Sequence, residues 1–166
     1  MKKEIYLAGG CFWGVQAYFQ RIKGVLETSV HYLNGGFEGV SYREVCDSSS
    51  HVEAVRIIYD DVVLTPKNIF ELFLNIINPY SLNKQGNDKG VQYRIGIYSR
   101  DLELRNEFQF LNDVFQKQQQ RNNYIEIMDV YDDTRAEEYH QNYLLKNPNG
   151  YCHISLNDIP DKYLKN

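Results

Sequence analysis

Apolar residues repeat at helical spacing in three segments of this chain, and a capping motif marks a fourth. The first helix closes at Lys23–Gly24, where a basic residue is followed by glycine. Thr65–Pro66 begins the second, because a capping side chain precedes a proline in the first turn. Thr134 and Glu137 form a capping box that predicts a last helix over Ala136 to Leu145. The apolar positions that define the first three helices are Val15, Tyr18, Phe19 and Ile22; Ile69, Phe70, Phe73, Ile76 and Ile77; and Leu104, Phe108, Leu111 and Phe115.

Short runs with strand-like composition separate these helices. Strands are predicted at 4–8, Val25 to Leu33, 52–59, Gln92 to Tyr98 and Tyr124 to Val130. This order of elements predicts an α+β fold, a two-layer α/β sandwich in which the helices cover one face or end of a mixed central sheet.

Polar stretches connect several of these elements. Long loops are expected at 34–51 and 80–90, and residues 147–166 are expected to form an irregular C-terminal tail. The chain shows no internal repeat and no linker, and its 166 residues match the length of one domain. We therefore expect a single domain over residues 1–166.

The charge balance excludes several classes of partner. Eighteen Lys and Arg face 22 Asp and Glu, so no excess of positive charge exists to bind a nucleic acid backbone. No apolar run approaches the roughly 18 residues of a membrane span. Met1–Glu4 also carries an acid where a signal peptide has only basic residues. We expect no nucleic acid partner, no membrane partner, and a monomer.

The chain has three cysteines, at positions 11, 46 and 152. An odd and sparse set is typical of a reducing compartment and not of a disulfide framework, so we expect a cytoplasmic protein. The cysteines and histidines do not cluster at the spacing of a zinc site, and we expect no metal.

One candidate for chemistry is the segment Gly9–Gly14, in which two glycines precede Cys11, Phe12 and Trp13. A helix begins at or near Cys11, and the free N–H groups and dipole of a helix start favour an anion. This position predicts a thiol pKa below the ordinary value of roughly 8.5, hence a reactive thiolate. Phe12 and Trp13 could form an apolar wall beside the sulfur. The alternative is an inert buried cysteine with two core aromatics.

Glu53 is a second candidate, because it shares the more apolar face of strand 52–59 with Val55, Ile57 and Tyr59. A carboxyl group removed from water has a raised pKa and can serve as a general acid near neutral pH. The alternative is an exposed, idle side chain at the end of a strand.

The remaining polar candidates have ordinary interpretations. Asp88 lies between two glycines, as turn acids do, while Tyr93 starts a predicted strand and Tyr42 lies in a predicted loop. Either tyrosine could serve packing alone. His51 is best interpreted as a hydrogen-bonded structural residue.

Cys152 lies in the predicted tail, after a Pro-Asn-Gly turn. A cysteine in a mobile segment can reach another sulfur and close a disulfide. The alternative is an exposed thiol without function. For Cys46 we favour a structural role.

Seven short segments that contain these candidate residues follow one another in an order that resembles the A-type peptide methionine sulfoxide reductases. A Cys-Phe-Trp sequence between glycines is rare by chance, and the resemblance extends over roughly residues 5 to 153. The matching segments are Gly10–Gly14, Tyr42–Cys46, His51–Glu53, Leu82–Asp88, Gln92–Arg94, Glu138–Gln141 and Asn147–Cys152.

The resemblance implies a role for each candidate in the pocket. Cys11 would attack the sulfoxide sulfur, while Phe12 and Trp13 would hold the S-methyl group of oxidised methionine. Glu53 would donate a proton to the sulfoxide oxygen. Tyr42 and Tyr93 would form hydrogen bonds to that oxygen. Asp88 would help to position the polar side of the pocket.

The resemblance also implies how the Cys11 thiol is regenerated after each turnover. Reduction would leave methionine and a sulfenic acid on Cys11, Cys152 would resolve it as a disulfide, and thioredoxin would reduce that disulfide. No metal or organic cofactor is implied. The family acts on the S epimer at sulfur, in proteins, and use of the free amino acid is left open.

Two other functions are compatible with the same residues. A thiol peroxidase or peroxide sensor could use the Cys11–Cys152 pair, and it would consume peroxide faster than sulfoxide. A non-catalytic module could use the aromatic pocket to bind an oxidised or apolar side chain, and its binding would not depend on the Cys11 thiol.

Overall fold

The computed structural model describes residues 1–166 as an alternation of strands and helices. None of the helices has the length and apolar character that a membrane crossing requires. The strands are β1 Lys2–Ala8, β2 Val25–Leu33, β3 Val52–Asp60, β4 Lys84–Gln85, β5 Asp88–Lys89, β6 Gly96–Tyr98, β7 Glu126–Met128 and β8 Asp133–Arg135. The α-helices are α1 Phe12–Gln20, α2 Tyr42–Cys46, α3 Pro66–Leu74, α4 Leu102–Gln119 and α5 Tyr143–Lys146, with 3₁₀ turns at Val91–Tyr93, Glu138–His140 and Asp161–Tyr163.

Six strands form one sheet in the order β7-β6-β1-β3-β2-β8. Every neighbouring pair is antiparallel except β6 and β7, which run parallel. The sheet is therefore mixed, as the order of elements predicted. The remaining strands, β4 and β5, form a separate two-stranded hairpin.

The main hydrophobic core lies between the helices and one face of this sheet. It joins apolar side chains of α1, α3 and α4 to inward-facing residues of β1, β2, β3 and β6. A smaller cluster lies on the other face and includes Tyr6, Leu33 and Tyr98. Helices on one side of a mixed sheet are the two-layer arrangement that was predicted, and that prediction is confirmed.

Two predicted boundaries were wrong in the N-terminal half of the chain. Residues 34–51 are not all loop, because Ser41 caps the short helix α2 through a reciprocal pair of hydrogen bonds with Glu44. The first helix ends at Gln20 instead of Lys23. It stops early because Ile22 forms a β-bridge with Leu164 of the C-terminal tail, a pairing that no local pattern reveals.

The predicted helix over 136–145 was also wrong. Thr134 lies in β8 opposite Tyr32 and does not cap a helix. The segment contains a 3₁₀ turn and the short helix α5, because Gln141 is buried between them and its side-chain amide bonds both to the backbone of Val30 and to Ala136. Asn142 then adopts a left-handed conformation, with φ of 55°.

The strand predicted over Gln92 to Tyr98 is shorter than expected. It begins at Gly96, and Tyr93 lies in a 3₁₀ turn before it. The loop expected at 80–90 contains the β4–β5 hairpin. Both differences bear on the site, since they carry Asp88 and Tyr93 back towards the end of β1.

Candidate active site

The sheet topology brings three of the predicted site residues to one end of the central strands. Because β1 and β3 are antiparallel, with Leu7 opposite Val55, the chain leaves β1 towards Cys11 beside the start of β3, where Glu53 lies. Strand β6 is antiparallel to β1 on its other side, so the 3₁₀ turn that precedes β6 places Tyr93 at the same end.

Cys11 is the N-cap residue of α1, which confirms the predicted helix start. Its thiol is buried, with 8% of the residue exposed. The predicted low pKa was wrong, because burial and then the charge of Glu53 raise the pKa of Cys11 well above its ordinary value. The backbone N–H of Trp13 lowers that pKa, as the helix-start argument expects, but it does not outweigh the loss of water. The resting sulfur is therefore a neutral thiol.

Glu53 lies on the helix-covered face of β3 and is 2% exposed, as its apolar neighbours predicted. Its carboxylate oxygen Oε1 accepts a hydrogen bond of 3.3 Å from the backbone N–H of Phe12, the residue after Cys11. Burial raises the pKa of Glu53 to about 8. The Phe12 hydrogen bond lowers this pKa and the charge of Asp88 raises it by a smaller amount, and burial outweighs both. At neutral pH this group is a protonated acid held against the helix start of Cys11.

Phe12 and Trp13 form two walls that meet at His140. The Phe12 ring is buried against Tyr32 and His140, with ring centroids 5.7 and 5.2 Å away. The Trp13 indole stacks on Tyr143 at 3.7 Å between ring centroids, and its Nε1–H donates to His140 Nδ1 at 3.0 Å. Both rings are held rigidly, as a pocket for an apolar group requires.

Tyr42 and Tyr93 supply hydroxyl groups on the polar side. Burial raises the pKa of both hydroxyls, and the charge that Glu53 carries once it is ionised raises them further, so each hydroxyl is a neutral donor. Tyr42 begins α2, and its backbone N–H donates to Glu137 at 2.9 Å. The exposed Cys46 lies at the other end of α2, with its thiol beside the Tyr42 hydroxyl.

Asp88 projects from the β5 strand of the small hairpin. Its carboxylate lies 3.7 Å from the imidazole of His153, measured from Oδ2 to Nδ1, and its side chain is 13% exposed. Its negative charge acts on Glu53 and on Cys11. The structure therefore places Asp88 at the same centre, and it is more than a turn acid.

Cys152 packs against the first turn of α1. A β-carbon built on Gly14 would lie 3.1 Å from the Cys152 sulfur, so a larger residue at position 14 would crowd that sulfur. The thiol is partly buried and donates to the carbonyl oxygen of Ile154 at 3.2 Å. All three cysteines are free, and the Cys152 sulfur lies on the turn that begins with Cys11.

Sequence reasoning missed a supporting layer around the pocket. Tyr32 donates to Glu137 at 2.8 Å, and this pair ties the floor of the pocket to the start of α2. His140 and Tyr143 position Trp13. The Glu-Tyr-His-Gln segment was visible in the sequence, but its roles depend on contacts with residues more than a hundred positions away.

His51 is the structural histidine that the sequence suggested. It is fully buried, its Nε2 lies 2.8 Å from the carbonyl oxygen of Phe37, and its Nδ1 lies 2.9 Å from the Ser49 hydroxyl. It supports the loop before β3 and leaves Glu53 free of a cationic partner. No group of three or more His, Cys, Asp or Glu side chains is arranged to hold a metal ion.

Comparisons with known proteins match nearly the whole chain, both in sequence and in fold. Residues 3–166 match the model of a family described as peptide methionine sulfoxide reductase. The chain is 65% identical over 165 residues to the peptide methionine sulfoxide reductase MsrA of Mycoplasmopsis pulmonis, covering 99% of each. Its fold matches the crystal structure of Mxr1 from Saccharomyces cerevisiae in reduced form with a TM-score of 0.86 and 31% identity, over 93% of this chain and 91% of Mxr1. A crystal structure of Mxr1 from Saccharomyces cerevisiae in complex with Trx2 also matches. The TM-score is 0.59 at 20% identity, over 86% of this chain and 84% of the matched chain in that structure.

Proposed function

Because the chain belongs to the peptide methionine sulfoxide reductase family and is thus an oxidoreductase, we propose that it reduces the S epimer of methionine sulfoxide in proteins through a sulfenic acid on Cys11. One observation carries this proposal. A protonated carboxyl, Glu53, is buried 3.3 Å from the backbone N–H that follows Cys11. The choice of epimer rests on the resemblance to the family.

The first step needs both groups. The sulfoxide oxygen is a poor leaving group until it is protonated, and Glu53 supplies that proton as Cys11 attacks the sulfoxide sulfur. The carboxylate so formed takes up the proton of the Cys11 thiol, since burial raises the pKa of that thiol and keeps it protonated at rest. The oxygen then passes to the Cys11 sulfur, so methionine leaves and Cys11 becomes a sulfenic acid. The substrate sulfur is reduced and the Cys11 sulfur is oxidised.

The pocket orients the substrate for this attack. The walls formed by Phe12 and Trp13 accept the S-methyl group, because both rings are held rigidly and offer apolar surface. The neutral hydroxyls of Tyr42 and Tyr93 donate hydrogen bonds to the sulfoxide oxygen. Burial keeps Glu53 protonated, and the negative charge of Asp88 adds a smaller contribution in the same direction. These roles convert a general redox thiol into one that selects a methyl sulfoxide.

The second step regenerates the thiol. Cys152 attacks the sulfenic sulfur, an S–S bond forms, and hydroxide leaves with the Cys152 proton as water. A thioredoxin then reduces the Cys11–Cys152 disulfide. The position of the Cys152 sulfur against Gly14 supports this pairing. The yeast Mxr1–Trx2 complex supports the choice of reductant.

The same proposal covers organisation and location. Residues 1–166 form one reductase domain, and the tail 147–166 carries the resolving cysteine. We place the protein in the cytoplasm as a monomer that acts on oxidised proteins. Three free cysteines support a reducing compartment.

Two cysteine variants test the proposal. Cys11→Ser removes the nucleophile, so it releases no methionine from a peptide carrying the S sulfoxide. Cys152→Ser completes one turnover, yields one equivalent of methionine and stops with a sulfenic acid that dimedone labels. Full activity of Cys11→Ser, or sustained thioredoxin-dependent turnover of Cys152→Ser, contradicts the proposal.

Competition between oxidants separates this function from a peroxidase. Equal concentrations of hydrogen peroxide and the S sulfoxide are mixed with the reduced protein, and thiol loss is followed with each alone and both together. Sulfoxide is expected to consume the thiols faster. A faster reaction with peroxide assigns the cysteine pair to a peroxidase instead.

A further inference from the structure

The residue after Cys152 has no role in the steps above, yet it is one of the best-anchored side chains in the tail. The imidazole of His153 is only 5% exposed. Its Nε2 lies 2.8 Å from the carbonyl oxygen of Gly9, at the turn that leads into Cys11. A carbonyl oxygen only accepts, so Nε2 carries the proton and donates it. A residue of the tail thus bonds directly to the turn that presents the nucleophile.

The turn is shaped to receive this ring. Gly10 has a φ of 85°, and a β-carbon built on it would lie 2.7 Å from His153 Nε2. Any larger residue at position 10 would therefore push the imidazole away, besides straining the backbone. Gly10 therefore both allows the turn and leaves the space that the His153 ring occupies.

His153 and Cys152 pack on one spot of α1. The point where a β-carbon would sit on Gly14 lies 3.1 Å from the Cys152 sulfur and 3.5 Å from His153 Nδ1. Gly14 follows Cys11 by three positions, and residues at that spacing are neighbours on a helix surface. Anchoring His153 therefore holds the Cys152 sulfur on the turn that carries Cys11.

The other side of the ring faces the pocket. His153 Nδ1 and Asp88 Oδ2 lie 3.7 Å apart, and neither atom has a hydrogen-bond partner. Burial lowers the pKa of His153, so the ring is neutral. With its proton on Nε2, the lone pair of Nδ1 faces the carboxylate. The ring therefore bonds to the nucleophile turn and lies beside an acid of the proposed sulfoxide pocket, without a hydrogen bond to that acid.

We propose that His153 is a positioning residue for disulfide formation, holding the tail so that the Cys152 sulfur stays beside Cys11. This inference rests on the proposed function, since it assigns a residue to its second step. In that step the Cys11 S–OH bond breaks, the S–S bond forms, and water carries away the Cys152 proton. His153 does not touch the sulfoxide in this assignment, so the first step proceeds without it.

Other contacts anchor the tail further along the chain. Arg21 donates from its guanidinium to the carbonyl oxygen of Leu156 at 3.0 Å, and Leu164 pairs with Ile22. These contacts hold the tail on the protein but lie beyond the cysteine. Arg21→Met therefore removes one hydrogen bond to the tail without releasing Cys152, and it is a matched control.

The test separates the two half-reactions. Reduced wild-type protein, His153→Ala, His153→Gln and Arg21→Met are each mixed rapidly with one equivalent of S sulfoxide peptide. Methionine release measures the first step, and loss of the second thiol measures disulfide closure. Thermal unfolding of each variant is recorded alongside.

In His153→Ala, methionine release is expected within twofold of wild type, while closure slows by about fivefold, the equivalent of one ordinary hydrogen bond. His153→Gln restores part of the rate, because its amide N–H can still donate to the Gly9 carbonyl. Arg21→Met closes at the wild-type rate. If His153→Ala does not fold, His153→Gln alone carries the test: closure is expected to slow by about two- to threefold, and closure at the wild-type rate overturns the assignment.

Several results overturn the assignment. Closure of His153→Ala at the wild-type rate does so, as does equal slowing in Arg21→Met, which would indicate general loosening of the tail. Closure in His153→Gln no faster than in His153→Ala excludes the donated hydrogen bond. Loss of methionine release in His153→Ala would assign the residue to the first step. If wild-type protein releases methionine without closing a disulfide, the proposed function itself fails.

Discussion

Two acidic side chains lie two strands apart on opposite faces of the same sheet, and their pKa values shift in opposite directions. Burial raises the pKa of Glu53 on the helix-covered face to about 8. Burial would also raise the pKa of Asp133 on the other face, but hydrogen bonds from His31, Tyr6 and Arg100 outweigh it and lower the pKa to about 2. Both groups are largely shielded from water.

The two carboxyl groups differ in the hydrogen-bond donors and charged groups that surround them. Asp133 accepts a hydrogen bond of 2.6 Å from Tyr6, lies 2.6 Å from His31 and pairs with Arg100 at 3.3 Å. Glu53 has one backbone donor and a second acid nearby, and no cation. Burial with cationic partners makes a structural anion, whereas burial without them keeps a proton available for chemistry.

The largest effect on activity is expected when Glu53 loses its acidic proton. Glu53→Gln keeps the shape and neutrality of the protonated acid but removes its proton, so methionine release in a single turnover should fall by about 10²- to 10⁴-fold. Thermal unfolding at pH 4, where Glu53 is neutral in both the folded and the unfolded chain, should be little changed. Retained activity of Glu53→Gln would show that another group protonates the oxygen.

The pH dependence of the first step sharpens the same point. Glu53 must be protonated, and its pKa of about 8 means that the rate of methionine release should fall roughly tenfold per unit of pH well above that value. Stopped-flow single turnovers between pH 6 and pH 10, with the substrate saturating, measure this. A rate that rises steadily with pH would indicate that formation of the Cys11 thiolate, and not the acid, limits the step.

Stability should also report the proton on Glu53. The pKa of Glu53 is about 8 in the folded protein, above its ordinary value of 4.5. The stabilisation from protonated Glu53 is therefore fully present below pH 4.5 and is lost as pH rises through 8. Between those values wild type should lose stability relative to Glu53→Gln, by up to about 1.4 kcal/mol per pH unit. Urea unfolding of both proteins at several pH values measures the difference, and parallel curves would contradict it.

Asp133 should behave in the opposite way. Asp133→Asn removes the anion from the Tyr6, His31 and Arg100 group, so the protein should lose about 2 kcal/mol of stability at pH 7. Methionine release should stay within twofold of wild type. Because the pKa of Asp133 is lowered from 3.8 to about 2, its stabilisation is present above pH 3.8 and disappears as pH falls through 2. A large loss of activity in this folded variant would show that the two faces are coupled.

The smallest effect is expected at the rim of the pocket. Cys46 is exposed at the end of α2, and Cys46→Ser keeps a hydroxyl beside Tyr42. Turnover with thioredoxin should change by less than about twofold, as for most surface substitutions. A stalled sulfenic acid in this variant would show that Cys46, and not Cys152, resolves it.

Much of the site could be predicted from the sequence, because its main features are local. The glycines before Cys11 and the adjacent aromatics marked a helix start, and alternation along 52–59 placed Glu53 on the buried face, as observed. The helix over 136–145 could not be predicted correctly, because buried Gln141 interrupts it by bonding to Val30, 111 residues earlier.

The sequence by itself determined the mixed sandwich, the helix that starts after Cys11 and the face on which Glu53 lies, since backbone periodicity and turn chemistry act over a few neighbouring residues. Only the tertiary structure decided that the Cys11 thiol is neutral at rest, that Asp88 influences Glu53, and that His153 lies on Gly10. Proton affinity depends on how much water and which charges surround a group, and both are set by segments that meet only when the chain has folded.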